Sequence, residues 1–313
     1  MDGTRMIRTP AWLSDLLADS AITDICINGE NQVFVDRGLG LEGLGPTPWK
    51  EDEIKTWVVE ALSEAGKSWD ARNPFADASL RSGHRLHVCF PPLASHGTLI
   101  SLRRLAQKNG PTLQRWGQSP SFDFLVQAVR RGESILISGA TGSGKTTLAS
   151  DLLSCVPPQE RMIALEDTPE LQPHHPHFLS LVSRPPNADG CGEVTLRTLL
   201  RQTLRMRPDR IILGECRGSE VLDLLQALNT GHQGALATLH ANSPRDALRR
   251  IELLCLISSE GKLAPSVIRE LLAVGIQWLV QVRRTGGVRA IEEIWKLEGR
   301  EGDTILLRPI NNT

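Results

Sequence analysis

Residues 139–147 read Gly139-Ala140-Thr141-Gly142-Ser143-Gly144-Lys145-Thr146-Thr147, and this run constrains the chain more than any other. It fills the pattern G-x-x-x-x-G-K-[ST] of a phosphate-binding loop. In such a loop glycines turn backbone N–H groups inward around phosphate oxygens, the lysine reaches the β/γ-phosphates and the hydroxyl, here Thr146, ligates Mg2+. The flanks have the order the loop needs: 134–138 reads as a short buried strand, and Thr146-Thr147-Leu148-Ala149 opens a helix. That order sets the phosphates at a helix N-terminus, where the dipole and the free amides favour an anion. The nine residues are therefore expected to bind a nucleoside triphosphate with Mg2+.

The segments around the loop predict the architecture. Strand signals at 161–165, 210–213, 234–239 and 278–282 alternate with helix signals at 122–131, 194–205, 219–229, 244–258 and 265–275. Alternation with apolar strands predicts an α/β domain whose mostly parallel sheet is covered on both faces. Upstream, Ile54, Trp57, Val58, Ala61, Leu62 and Ala65 keep the spacing of an amphipathic helix over 51–65. A short helix at 10–17 and strands at 22–28, 32–36, 85–90 and 98–103 complete a small α+β domain. Between the two, 107–121 contains Gly110-Pro111, Gly117 and Ser119-Pro120 with little periodicity and reads as a linker. The expected organisation is 1–106, a linker over 107–121, and 122–313; the 313 residues leave room for two domains.

Composition excludes several classes. A net charge of -1 and 4% aromatic residues supply no basic, aromatic-lined stripe, so direct nucleic-acid binding is not expected. No apolar run approaches the roughly 18 residues that span a bilayer, and residues 1–17 do not read as a secretory leader. Any membrane role is expected to be peripheral. The six cysteines contain no C-x-x-C pair and read as reduced and mostly buried, with no zinc site.

Three further segments carry polar chemistry. Arg210-Ile211-Ile212-Leu213-Gly214-Glu215 is an apolar strand ending in a carboxylate, and such strand ends face the ligand crevice. Glu215 is expected to orient the attacking water or to help hold Mg2+ through water. Ile163-Ala164-Leu165-Glu166-Asp167 is a second strand running into acids. Glu166 is expected near the metal or the water, whereas Asp167 reads equally as a cap of a local turn. In the segment 230–242, His232 and His240 sit among glycines at strand ends and read as sensors of the γ-phosphate.

Taken in order, these segments resemble the secretion ATPases, the hexameric motors of type II and type IV secretion, type IV pili and conjugation. The phosphate loop, Glu-Asp segment, Gly-Glu strand end and paired-His segment match that family's Walker A, Asp, Walker B and His boxes. Residues 204–210 and 231–244 match closely. Arg184-Pro185-Pro186-Asn187, Gly190, Gly192-Glu193-Val194-Thr195 and residues 228–232 look most like the tight-adherence (Flp) pilus ATPases, with the conjugation and type IV secretion ATPases close behind. A weaker match covers Ile22-Thr23-Asp24-Ile25, Gly83-His84-Arg85-Leu86 and Ser101-Leu102-Arg103-Arg104.

The resemblance implies a PAS-like N-terminal domain, a RecA-like C-terminal domain, ATP and Mg2+ as cofactors, and a homohexamer. It also implies a cytoplasmic position at the inner membrane, beside platform or secretion-channel proteins. Arg85 and one of Arg103 and Arg104 are assigned by it to the γ-phosphate, where a guanidinium offsets developing charge. Arg205, Arg207 and Arg217 are candidates to bridge to a neighbouring subunit. Two departures stand out: the four-cysteine zinc insertion of type II motors is missing, and the segment before Thr23 is shorter than in tight-adherence motors. A nucleic-acid translocase and a nucleotide-regulated scaffold without turnover remain the alternatives.

Overall fold

Side chains buried at every second position within 24–28, 32–36, 84–89 and 99–104, with helical spacing over 51–64, give the chain a helix-backed sheet at its start. The computed structural model describes residues 9–30, 32–38, 40–67, 69, 74–104, 116, 119–186, 190–285 and 288–310. Two compact units form, Met1–Gln107 and Lys108–Thr313. Most of the expected linker lies outside the described residues; its last residues already belong to helix α3 (Pro120–Arg130), where Pro120 occupies the first turn and needs no N–H partner.

The first unit is an antiparallel sheet of six strands: β1 (Asp24–Asn28), β2 (Gln32–Asp36), β3 (Leu41–Gly45), β4 (Phe75–Ser79), β5 (His84–Cys89) and β6 (Leu99–Arg104). Their order is β3-β2-β1-β6-β5-β4. Ile25, Ile27, Val35, Leu86, Val88, Ile100 and Leu102 share the face that packs on α1 (Ala11–Ala18) and α2 (Glu51–Glu64), burying Leu13, Ile54, Val58 and Leu62. On the other face the register sets Asp24 opposite Arg103, and Arg103 opposite Arg85.

The second unit carries an eight-stranded sheet, ordered β14-β13-β12-β7-β11-β10-β8-β9. Six strands run parallel: β7 (Ile135–Gly139), β8 (Met162–Glu166), β9 (Phe178–Val182), β10 (Arg210–Leu213), β11 (Leu236–His240) and β12 (Trp278–Thr285). The antiparallel ribbon β13 (Val288–Glu301) and β14 (Thr304–Pro309) extends one edge. Helices α3 and α4 (Lys145–Leu153) cover one face; α5 (Leu196–Thr203), α6 (Glu220–Asn229), α7 (Pro244–Ser258) and α8 (Pro265–Gly275) cover the other. β7, β8 and β10 are buried at every position, the mark of strands sandwiched between helix layers. This is a RecA-like nucleotide-binding arrangement.

Strands β3, β4, β9, β13 and β14 were not anticipated from the sequence. The cysteines also depart from expectation: only Cys216 and Cys255 are buried, Cys26, Cys89 and Cys155 are half-buried, and Cys191 is exposed. No helix among the described residues is long and apolar enough to cross a membrane.

Candidate nucleotide site

The site is built at the C-terminal tips of β7, β11 and β10. The phosphate loop leaves β7 at Gly139, where an added Cβ would collide with the Val282 carbonyl and come within 2.6 Å of Ser143 Oγ. Gly142 and Gly144 hold φ +72° and +104°, a region glycine enters without steric cost. Helix α4 begins at Lys145 with no side-chain cap on its first amides, so its free N–H groups remain for an anion. Ser143 Oγ is buried without a hydrogen-bond partner. An orphaned hydroxyl inside an uncapped, glycine-lined turn fits a phosphate group, which would satisfy it.

Lys145 is buried, and its ammonium engages all three of its protons. It donates to the carbonyls of Gly139 (3.0 Å) and Ala140 (2.9 Å) and faces His240 Nδ1 at 3.2 Å. Burial lowers its pKa to about 8, against the pull of Glu215 and Glu170. A desolvated cation of this kind gains most from a bound anion.

His240 ends β11 and bridges the lysine to Glu215, whose Oε1 lies 3.2 Å from His240 Nε2. Burial and the Lys145 charge hold the imidazole pKa below its usual value, with Glu215 opposing them. The neutral ring therefore accepts from Lys145 at Nδ1 and donates from Nε2 to Glu215. On its other oxygen Glu215 takes Arg217 Nη2 at 2.5 Å, and Arg217 Nη1 lies 3.5 Å from Asp167. That bond to Glu215 raises the guanidinium pKa. Asp167 is held in turn by the Ser183 hydroxyl at 2.7 Å.

Local backbone contacts aim Glu215. The Gly214 N–H donates to Leu165 O (2.9 Å), the Thr238 hydroxyl donates to Gly214 O (2.5 Å), and the Cys216 N–H donates to Thr238 O (2.8 Å). The buried Glu220 carboxylate receives the N–H groups of Arg217 (2.8 Å) and Gly218 (2.7 Å), which fixes the turn after Glu215. Among the described residues no group of three or more His, Cys, Asp or Glu side chains gathers as a metal cage. A Mg2+ here would complete its shell with phosphate oxygens and water, as that ion commonly does.

Two expected site residues stand elsewhere. Glu166, expected as a metal ligand and water-orienting acid, has both oxygens engaged. Oε1 accepts from the Glu170 and Leu171 N–H groups, each at 2.8 Å, and Oε2 from the Ser180 hydroxyl at 2.7 Å. Burial raises its pKa. It buttresses the 167–171 turn and β9 rather than presenting an open carboxylate. His232, expected at the γ-phosphate, precedes β11, whereas the loop follows β7. The two strands are parallel, so His232 sits at the opposite end of the strands from the loop.

The three arginines of the first unit also separate. Arg104 donates to the carbonyls of Leu17 (2.6 Å), Asp19 (2.6 Å) and Ile22 (3.0 Å), tying the end of α1 to the sheet. Arg103 pairs with Asp24 at 2.8 Å and Arg85 with Asp77 at 3.6 Å, both on the open face. Arg289, absent from the sequence expectation, donates to Thr147 Oγ1 at 3.2 Å. No motif marks it; its strand is recognisable only through its pairing with β12.

The family described as Type II/IV secretion system protein matches residues 55–286. A putative conjugal transfer protein of Mycobacterium tuberculosis is 39% identical over 301 residues, 93% of this chain and 85% of that protein. The VirB11 protein of Agrobacterium fabrum is 31% identical over 328 residues, 94% of this chain and 93% of its own length. Among solved structures, the VirB11 ATPase of the Brucella suis type IV secretion system, crystallised with sulphate, superposes with a TM-score of 0.51 at 28% identity. That superposition covers 91% of this chain and 92% of that one. The chain belongs to the type II/IV secretion system protein family. Within it, the chain is an ATP-hydrolysing enzyme of the secretion-ATPase class.

Proposed function

We propose that this chain is a homohexameric motor that couples ATP hydrolysis to domain movement. Its work would be pilus assembly or macromolecule export, at the cytoplasmic face of the inner membrane beside platform or channel proteins. The observation that carries the reading is the continuous polar line Lys145–His240–Glu215–Arg217 at the strand tips, with an orphaned Ser143 hydroxyl in the loop beside it. The type IV setting named for the Brucella relative favours export as the task.

Residues 139–147 hold the phosphates, and Lys145 exchanges loop carbonyls for β/γ-phosphate oxygens. Glu215, kept in place by His240 and Arg217, orients the attacking water. Thr146 and, through water, Glu215 would hold Mg2+, which would neutralise charge on the phosphates. Glu166 supports these groups from behind. Of the three arginines, Arg85 and Arg103 are assigned to charge stabilisation, because Arg104 already serves three backbone carbonyls.

Steady-state phosphate release tests this assignment. The wild type should release phosphate, and chelation of Mg2+ or Lys145→Ala should abolish it; equal rates in wild type and Lys145→Ala would end the assignment. Mass measurement of the same preparations with a Mg·ATP analogue should show six copies. A monomer with and without the analogue would remove the ring.

A further inference from the structure

The ribbon at the sheet edge reaches the phosphate loop from the side away from the catalytic line. β12 lies next to β7, with Val280 opposite Ile137 and Gln281 opposite Ser138. It then runs on to Thr285, past the end of β7, and β13 returns with Arg289 opposite Arg284. The Arg289 stem crosses the loop at Gly144, where an added Cβ would stand 2.7 Å from Arg289 Cδ and 3.1 Å from Nε. Its head ends on Thr147 Oγ1 at 3.2 Å. A side chain at 144 would push the arginine off this crossing.

Sheet order gives the bound triphosphate a direction. Lys145, the β/γ-phosphate residue, meets His240 on β11, and Glu215 follows β10; both strands lie to one side of β7. β12 and β13 lie to the other side. With the γ-phosphate facing β11 and β10 and the α/β-phosphates against the loop amides, the α-phosphate faces Thr147 and the ribbon. A guanidinium delivered there, with Arg284 opposite it in register, meets a phosphate oxygen with a forked donor set suited to it.

We infer that Arg289 is a nucleotide-binding residue that grips the α-phosphate, an inference that rests on 139–147 being the ATP site. Because ATP and ADP share that phosphate, Arg289 holds substrate and product alike. It contributes to affinity and KM rather than to the chemical step.

The test compares wild type, Arg289→Gln, Arg289→Lys and Lys145→Ala for binding of Mg·ADP, a non-hydrolysable ATP analogue and inorganic tripolyphosphate, together with KM and kcat. Arg289→Gln should weaken all three ligands about tenfold, a typical loss for one charge-assisted contact. KM should rise in parallel, kcat should stay within about twofold, and Arg289→Lys, which keeps the charge and loses the fork, should recover only part of the affinity. Unchanged affinities, or a fall in kcat with affinity intact, would overturn the inference. So would a loss confined to the nucleotides with tripolyphosphate unaffected, since the contact would then be to the nucleoside. Wild type that binds ADP no better than Lys145→Ala would instead overturn the site reading beneath it.

Discussion

Glu166 and Glu215 close neighbouring strands and are both acids after apolar runs, yet their surroundings give them different work. The register pairs Leu213 with Leu165, so Glu215 lies one residue farther out than Glu166. Gly214 stands between them, and an added Cβ there would approach Glu166 Cγ to 2.9 Å. The glycine leaves room for the Glu166 side chain to reach its three donors, while Glu215 meets His240 and Arg217 at the open end. Glu166→Ala leaves two backbone N–H groups and a hydroxyl unpaired in a buried place. Equilibrium urea unfolding should show a loss of about 2–3 kcal/mol, a cost partly offset by removing a buried carboxylate. An unchanged midpoint would mean that the buttress is idle.

Among the elements, the interior was legible and the edges were not. β7, β10 and β11 announce themselves as apolar runs before Gly139, Gly214 and Ala241, and α2, α7 and α8 keep helical spacing with Glu51, Pro244 or Pro265 at their starts. β3, with two glycines and mostly exposed side chains, and β4, half polar, are edge strands that exist because a neighbour pairs with them. β13 and β14 are charged and exposed, and a register shift between Leu297 and Gly299 breaks their alternation. Arg289, carried by such a strand, was hidden for that reason. At the site, the loop, Glu215 and His240 were readable from motif and strand ends. The role of Glu166 was not, because Ser180 and the 170–171 amides reach it only in the fold.

Arg104 shows the same limit from the other direction: its neighbour Arg103 looks identical in sequence, but strand alternation turns Arg104 toward the end of α1. There it donates to carbonyls at and just beyond the helix C-terminus, where the dipole favours a cation. Arg104→Gln should therefore destabilise the first unit by about 2 kcal/mol, whereas Arg103→Gln should leave thermal unfolding within the scatter of wild type and lower phosphate release instead. Equal effects of the two substitutions on unfolding would contradict this division.

At the scale of the whole molecule, the second unit carries the binding loop, the polar line and the ribbon arginine, and the first unit carries Arg85 and Arg103 on one face of its own sheet. The central claim is that ATP is held by 139–147 and hydrolysed with the help of Glu215. A single-turnover reaction, with labelled ATP and excess protein, tests it most directly. Wild type should convert the bound ATP to ADP, while Glu215→Gln should bind ATP with comparable affinity and keep it intact at least about a hundredfold longer. ADP formed by Glu215→Gln at the wild-type rate would contradict the account.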